Sequence, residues 1–283
     1  MGGVAQLFTG RGLRRRYATL LRPLEGVMPG LLHPVRRVEV NGLDLHLDER
    51  TESVNAESLT DGNYEADEIR FMERFVRPGD TFLDLGANVG FVSCQAARWV
   101  GDKGQVFAFE PDRLNFRLLR RNLRTNRSGV VEAVRAAVSE SNGTITLHRS
   151  LVNCGDHRIY GVEAGKRVEE QVRTIQLDDY LESRASRVDF VKMDVQGAES
   201  LVVRGMQRIL AENRDHITLL VEWWPHGLER AGSSPAELAE LFSRHGLNFW
   251  TLDGEPATDL CDPERLADPS FYTNVIVRLA RPE

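Results

Sequence analysis

Cysteine is scarce in this 283-residue chain, with three residues, Cys94, Cys154 and Cys261. They stand far apart, match no metal-ligand spacing and are odd in number, which argues against a disulfide framework or a zinc site and points to a reduced, cytoplasmic protein. No apolar run approaches the ~20 residues of a membrane span. Positive charge is in deficit, 36 Lys and Arg against 42 Asp and Glu, for a net charge of -6. That balance speaks against nucleic acid as a partner. One basic segment departs from it, with Arg11, Arg14, Arg15, Arg16 and Arg22 followed by Pro23, Pro29 and Pro34. No apolar core or cleavage site follows these arginines, so the reading is a surface helix or loose arm, not a signal peptide; a nucleic-acid or lipid contact is the alternative. Internal repeats and low-complexity tracts are absent as well. What remains, 41% hydrophobic and 28% charged residues, is ordinary for a soluble enzyme, and the length suits one large α/β domain with a modest extension.

The organising stretch is residues 81–111. A short apolar run ends on Asp84, and a turn with Gly86, Asn88 and Gly90 leads into a helical pattern. A second apolar run then ends on Glu110-Pro111. Strand, glycine turn, helix, strand and acid form the βαβ layout of a nucleotide-type site. A dinucleotide fold wants G-x-G-x-x-G, whose middle glycine admits the pyrophosphate. Asn88 occupies that place here, and its side chain would obstruct the approach. The spacing D-x-G-x-N-x-G resembles motif I of class I S-adenosylmethionine (SAM) methyltransferases, whose cofactor has no pyrophosphate and an amino-acid end that an asparagine can bond. Glu110 serves either cofactor, because a carboxylate there accepts both ribose hydroxyls.

Around this unit the patterning continues. Apolar alternation on both sides of Asn41-Gly42 predicts a type I′ hairpin at 38–47. A helix is expected over 66–76, so the preceding loop, with Tyr64 and Glu65, would sit over the cofactor mouth. Further elements are a helix at 113–124, strands at 130–138 and 143–147, an irregular loop at 151–166 carrying His157, and a short helix at 177–181. The run 188–197 reads as a buried strand ending on Asp194, then a glycine turn and a helix. Residues 217–222 repeat the form and end on Glu222, followed by Trp223, Trp224 and His226. Two final strands at 247–252 and 271–279 flank an acidic loop without an obvious helix.

Several short motifs carry a resemblance: Tyr64-Glu65, Pro78-Gly79-Asp80, the Asp84 to Gly90 turn, Phe109-Glu110-Pro111, Asn122-Leu123, Val221-Glu222 and, most specific, the run from Val191 to Glu199. With these the chain resembles the FkbM family of SAM-dependent methyltransferases over roughly residues 60–280. The resemblance implies a class I, Rossmann-like α/β fold with a seven-stranded sheet, and a methyl transfer to a hydroxyl of a natural product, sugar or lipid-like acceptor. Residues 1–60 are then an N-terminal extension and 61–283 the methyltransferase domain. The expected cofactor site is Tyr64, Asp84, Gly86, Asn88, Gly90, Glu110 and Pro111. Asp194, Glu222 and His226 are the expected catalytic set, lying at or just past the ends of adjacent strands; for Asp194 a helix N-cap is the alternative. Magnesium between Asp194 and Glu222 would suit hard oxygen ligands, although no spacing forces it. A small hydroxylated acceptor is the expected partner and a homodimer stays open. The competing functions are methyl transfer to nitrogen or to a macromolecule, and a SAM-binding scaffold without catalysis.

Overall fold

The computed structural model describes residues 35–48, 65–150, 155–161 and 167–282. The basic segment, Tyr64 and Cys154 lie outside them. The described residues open with a hairpin, β1 (Val35–Val40) and β2 (Leu43–Asp48), whose turn residues Asn41 and Gly42 both have positive φ, 48° and 71°, as a type I′ turn requires. Helix α1 (Ala66–Phe75), β3 (Thr81–Leu85), α2 (Phe91–Val100), β4 (Gln105–Phe109) and α3 (Arg113–Thr125) follow. Next come β5 (Val131–Val134), β6 (Ala137–Val138), β7 (Gly143–Ser150), β8 (Arg167–Ile175) and α4 (Leu177–Leu181). The last part comprises β9 (Phe190–Met193), α5 (Glu199–Arg204), α6 (Gln207–Asn213), β10 (Thr218–Trp223), α7 (Pro225–Arg230), α8 (Pro235–Ser243), β11 (Asn248–Trp250), α9 (Pro263–Leu266) and β12 (Thr273–Arg278).

Seven strands form one sheet in the order β11-β12-β10-β9-β3-β4-β5. The five from β10 to β5 run parallel, and β12 lies antiparallel between β10 and β11. The strands are short and apolar throughout because both faces are covered. Their period-2 alternation sorts the side chains into two cores. Leu83, Phe107, Val191 and Leu219 pack with α4, α5, α6 and α8 on one face. Phe82, Val106, Phe190 and Leu220 pack with α1, α2, α3 and the hairpin on the other.

Four sequence expectations are corrected. The run 130–138 is two strands, β5 in the main sheet and β6 in a separate three-stranded sheet of order β6-β8-β7; the chain turns between them where Ala136 N–H donates to Val134. The helix after Asp194 is broken in two at Gly205-Met206. Asp194 is no N-cap, that place being held by Ala198. The loop before β12 contains the short helix α9, which Asp262 caps by accepting from Glu264 N–H.

Candidate active site

Parallel strands deliver their carboxyl ends to one edge of the sheet, and there β3, β4, β9 and β10 border a cavity of about 1110 Å³. Asp84 and Lys192 are register partners on β3 and β9. Both share parity with Phe82 and Phe190, so they rise from the same face, and Glu222 does likewise through Leu220 on β10. The apolar core of that face therefore ends in a polar rim of Asp84, Lys192 and Glu222, all lining the cavity.

The turn after β3 is built from backbone outward. Gly86 and Ala87 N–H groups donate to Phe109 at the end of β4, at 3.1 and 2.9 Å. Gly86 has φ +85°, and a Cβ there would stand 1.9 Å from the Asp194 carbonyl oxygen; only glycine permits this contact between the β3 and β9 ends. Gly90, at φ +87°, opens α2 and packs on Leu119 instead of lining the cavity. Asp84 is fully buried; its Oδ2 accepts from Ser93 Oγ at 2.5 Å, whereas its Oδ1 has no partner among the described residues. Burial raises its pKa, against the pull of Lys192. Asn88 also keeps a left-handed backbone (φ 50°) and an unpartnered buried Oδ1. Glu110, 4% exposed, accepts from Asn88 N–H at 2.8 Å and from Asp112 N–H at 2.7 Å. Burial, then the neighbouring Asp112 charge, pushes its pKa up to about 8. Pro111 completes this wall.

On the other side Asp194 and Glu222 are joined by Gln196, whose Nε2 donates to Asp194 Oδ1 at 2.8 Å and to Glu222 Oε2 at 3.0 Å. Lys192 Nζ stands 3.2 Å from Asp194 Oδ2. Burial lowers the Lys192 pKa, but Asp194, Glu65 and Asp84 outweigh it and the net shift is upward. Burial and the charge of Asp194 raise the Glu222 pKa well above its ordinary value. The turn that presents Gln196 is held by Glu199, whose Oε1 accepts from Val195 and Gly197 N–H groups, each at 3.2 Å. The place sequence reading offers to magnesium is thus bridged by an amide, and among the described residues no group of three or more His, Cys, Asp or Glu converges on a metal position. His226 lies on α7 outside the cavity lining, its ring 6.1 Å from that of Trp224. Trp224 lines the cavity with its indole under the Arg158 guanidinium at 4.6 Å. Asn274 of β12, paired with Glu222, donates to Glu68 at 2.7 Å.

Sequence reasoning assigned no role to Lys192, Gln196 or Asn274. The sole available signal was a lysine inside an otherwise apolar strand two residues before an acid. His157, expected in an irregular loop, is packed beside Asp112, its Nε2 3.8 Å from Oδ2. Asp112 forms an ion pair with Arg149 and caps α3 by accepting from Leu114 and Asn115 N–H groups.

A parallel sheet with one antiparallel strand beside its edge, a glycine turn after the first parallel strand and an acid after the second defines a class I, Rossmann-like methyltransferase fold. The chain belongs to the FkbM methyltransferase family: residues 84–249, more than half of it, match the Methyltransferase FkbM domain. Among curated proteins it is 30% identical over 159 residues to the 2-O-methyltransferase NoeI of Sinorhizobium fredii, covering 49% of this chain and 62% of NoeI. It is 28% identical over 184 residues to the methyltransferase sdnD of Sordaria araneosa, covering 53% of this chain and 70% of sdnD. Among solved structures it is similar to an FkbM methyltransferase from Methylobacillus flagellatus KT, with 15% identity, a TM-score of 0.44 and coverage of 82% of this chain and 55% of that one.

Proposed function

We propose that the protein transfers a methyl group from SAM to a hydroxyl oxygen of a small-molecule acceptor. One observation carries this reading: the two ends of a single cavity are chemically different. At one end two buried acceptor oxygens, Asp84 Oδ1 and Asn88 Oδ1, have no partner among the described residues, and buried acceptors without donors are costly. The ammonium of the SAM methionine portion supplies such donors, so the residues fit the cofactor. Glu110, at the end of β4, would take the ribose hydroxyls. Bound SAM supplies a methyl on a sulfonium centre that needs no further activation.

At the other end lies the Asp194–Gln196–Glu222 group. An aliphatic hydroxyl is a poor nucleophile until its proton is taken up. Asp194 is the base in this reading, with the Lys192 ammonium balancing its charge from 3.2 Å. Glu222, with its raised pKa, keeps a proton and orients the hydroxyl, and Gln196 fixes both carboxyl groups. Much of the remaining rate enhancement is alignment, holding oxygen, methyl and sulfur in line. Trp224 and the exposed Tyr272, both lining the cavity, offer apolar faces to the rest of the acceptor. The relation to NoeI, named a 2-O-methyltransferase, favours oxygen over nitrogen.

Incubation with methyl-labelled SAM and a panel of hydroxylated and amine metabolites tests the reading. Asp194→Asn should bind SAM within about twofold of wild type and lose roughly 10²–10⁴ in turnover, the usual contribution of a general base. Full activity in that variant would remove Asp194 from the chemistry. Label found only on amines would move the acceptor to nitrogen, and no transfer to any acceptor would favour a SAM-binding scaffold.

A further inference from the structure

The N-terminal hairpin is fastened to the rest of the molecule by two side-chain amides, Asn122 in the last turn of α3 and Asn126 at its C-cap. Asn126 Oδ1 accepts from Asp44 N–H at 2.9 Å and its Nδ2 donates to Asp44 C=O at 2.9 Å. Asn122 repeats the pattern one step along the strand, accepting from His46 N–H at 2.7 Å and donating to His46 C=O at 3.2 Å. Residues 44 and 46 alternate with those facing the core, and the two carboxamides stand where a neighbouring strand would offer its peptide groups.

Asn122 does more than Asn126. Its Nδ2 also donates to the carbonyl of Val89 at 2.8 Å, and its Oδ1 lies 3.2 Å from His46 Nδ1. The side chain is fully buried, and its two donor and two acceptor positions are all in use. Val89 follows Asn88 directly, and its carbonyl belongs to the Val89–Gly90 peptide, so the grip holds the turn one residue past Asn88 and through Val89 restrains the backbone from which the Asn88 side chain projects. Asn88 is in the left-handed region at φ 50°, a backbone state that neighbouring structure must hold in place. The hairpin also shares the apolar cluster of Phe82, Val92 and Leu119, and Arg98 of α2 donates to Asn41 and Gly42 carbonyls in its turn at 2.9 and 2.6 Å.

We infer that the hairpin is a working part of the cofactor site rather than a separable extension, and that Asn122 is the positioning residue which couples it to the Asn88 turn. Asn122 touches no substrate; it acts by setting where Asn88 Oδ1 meets the cofactor. The inference rests on the SAM reading above.

The test uses the full chain and SAM titrated by calorimetry. Asn122→Asp keeps the shape and the acceptor but loses the donors to Val89 and His46. It should weaken SAM by roughly tenfold or more, the loss of about one well-placed hydrogen bond, while Asn126→Ala lowers the melting temperature and leaves SAM affinity within about twofold. In the wild type, SAM should slow amide exchange across residues 43–47, far from any direct contact in sequence. Wild-type affinity in a folded Asn122→Asp, equal losses in both variants, or unchanged exchange in the hairpin would each overturn the coupling. Failure of the wild type to bind SAM at all would overturn the SAM reading instead, and the coupling with it.

Discussion

Glu110 holds two backbone N–H groups from a position almost without water, and its pKa of about 8 follows from burial and the Asp112 charge. Its folded value lies above its ordinary one of 4.5. The stability it contributes is therefore full below that ordinary value and is lost as pH rises through the folded one. Ribose hydroxyls donating to the carboxylate favour the ionised form, so SAM binding should release a proton near neutral pH. Affinity should rise between about pH 6 and pH 9, and titrations in buffers of different ionisation enthalpy should record that release. Glu110→Gln, neutral throughout, should bind SAM roughly tenfold more weakly and show no such rise. If the variant keeps the wild-type slope, the proton belongs to another acid, with Glu199 (raised by burial to about 7) first in line. At this scale the sequence was informative wherever an acid closes an apolar run, as at Asp84, Glu110, Asp194 and Glu222. It was silent on Lys192 and Gln196, because their meaning depends on which strands lie side by side and on a left-handed turn at Gln196, φ 56°.

The glycine turn shows how an element carries the same logic. Both Gly86 and Gly90 sit at positive φ, where any Cβ costs about 1–2 kcal/mol. They differ in what a methyl group would meet: backbone of Asp194 at Gly86, but the flexible tip of Leu119, 2.4 Å away, at Gly90. Gly86→Ala should therefore destabilise the protein clearly more than Gly90→Ala in urea denaturation, and should also impair turnover by shifting Asp194. Equal losses would show that backbone strain alone matters. The turn and the hairpin were legible because Asn-Gly and D-x-G-x-N-x-G fix local backbone states. Strand β8 was not: among its nine residues only Val172, Thr174 and Ile175 are buried, so a strand of a small, half-exposed sheet has too few apolar positions to announce itself. The division of β5 from β6 was equally hidden, since small apolar residues continue across the turn that separates two sheets.

Across the whole molecule, the small sheet β6-β8-β7 joins the Rossmann-like body through Val138 and Ile175 in the apolar core and through a buried electrostatic joint beside the cavity. Arg149 of β7 pairs with Asp112, which caps α3 and donates its own N–H to Glu110 at 2.7 Å. His157 packs against the same carboxylate, its side chain 9% exposed. Ser150 N–H donates to His157 Nδ1 at 3.1 Å, which places the ring proton on Nε2, toward Asp112. A second proton would have to enter at Nδ1 and break that bond. Burial lowers the His157 pKa, with Arg149 and Arg167 acting in the same direction and Asp112 and Asp156 opposing. A histidine with a folded value below its ordinary 6.5 contributes stability above that pH, and loses it as pH falls toward the folded value. On acidification from about pH 7.5 to pH 5.5 His157 should thus oppose the stability that Glu110 regains over the same range, and, after correction for intrinsic exchange, amide exchange in residues 143–150 and 155–161 should speed up relative to the main sheet. His157→Gln retains an acceptor for Ser150 and cannot take up the proton, so over the same range its melting temperature should move upward relative to that of the wild type. A variant that follows the wild-type curve would place the acid sensitivity elsewhere.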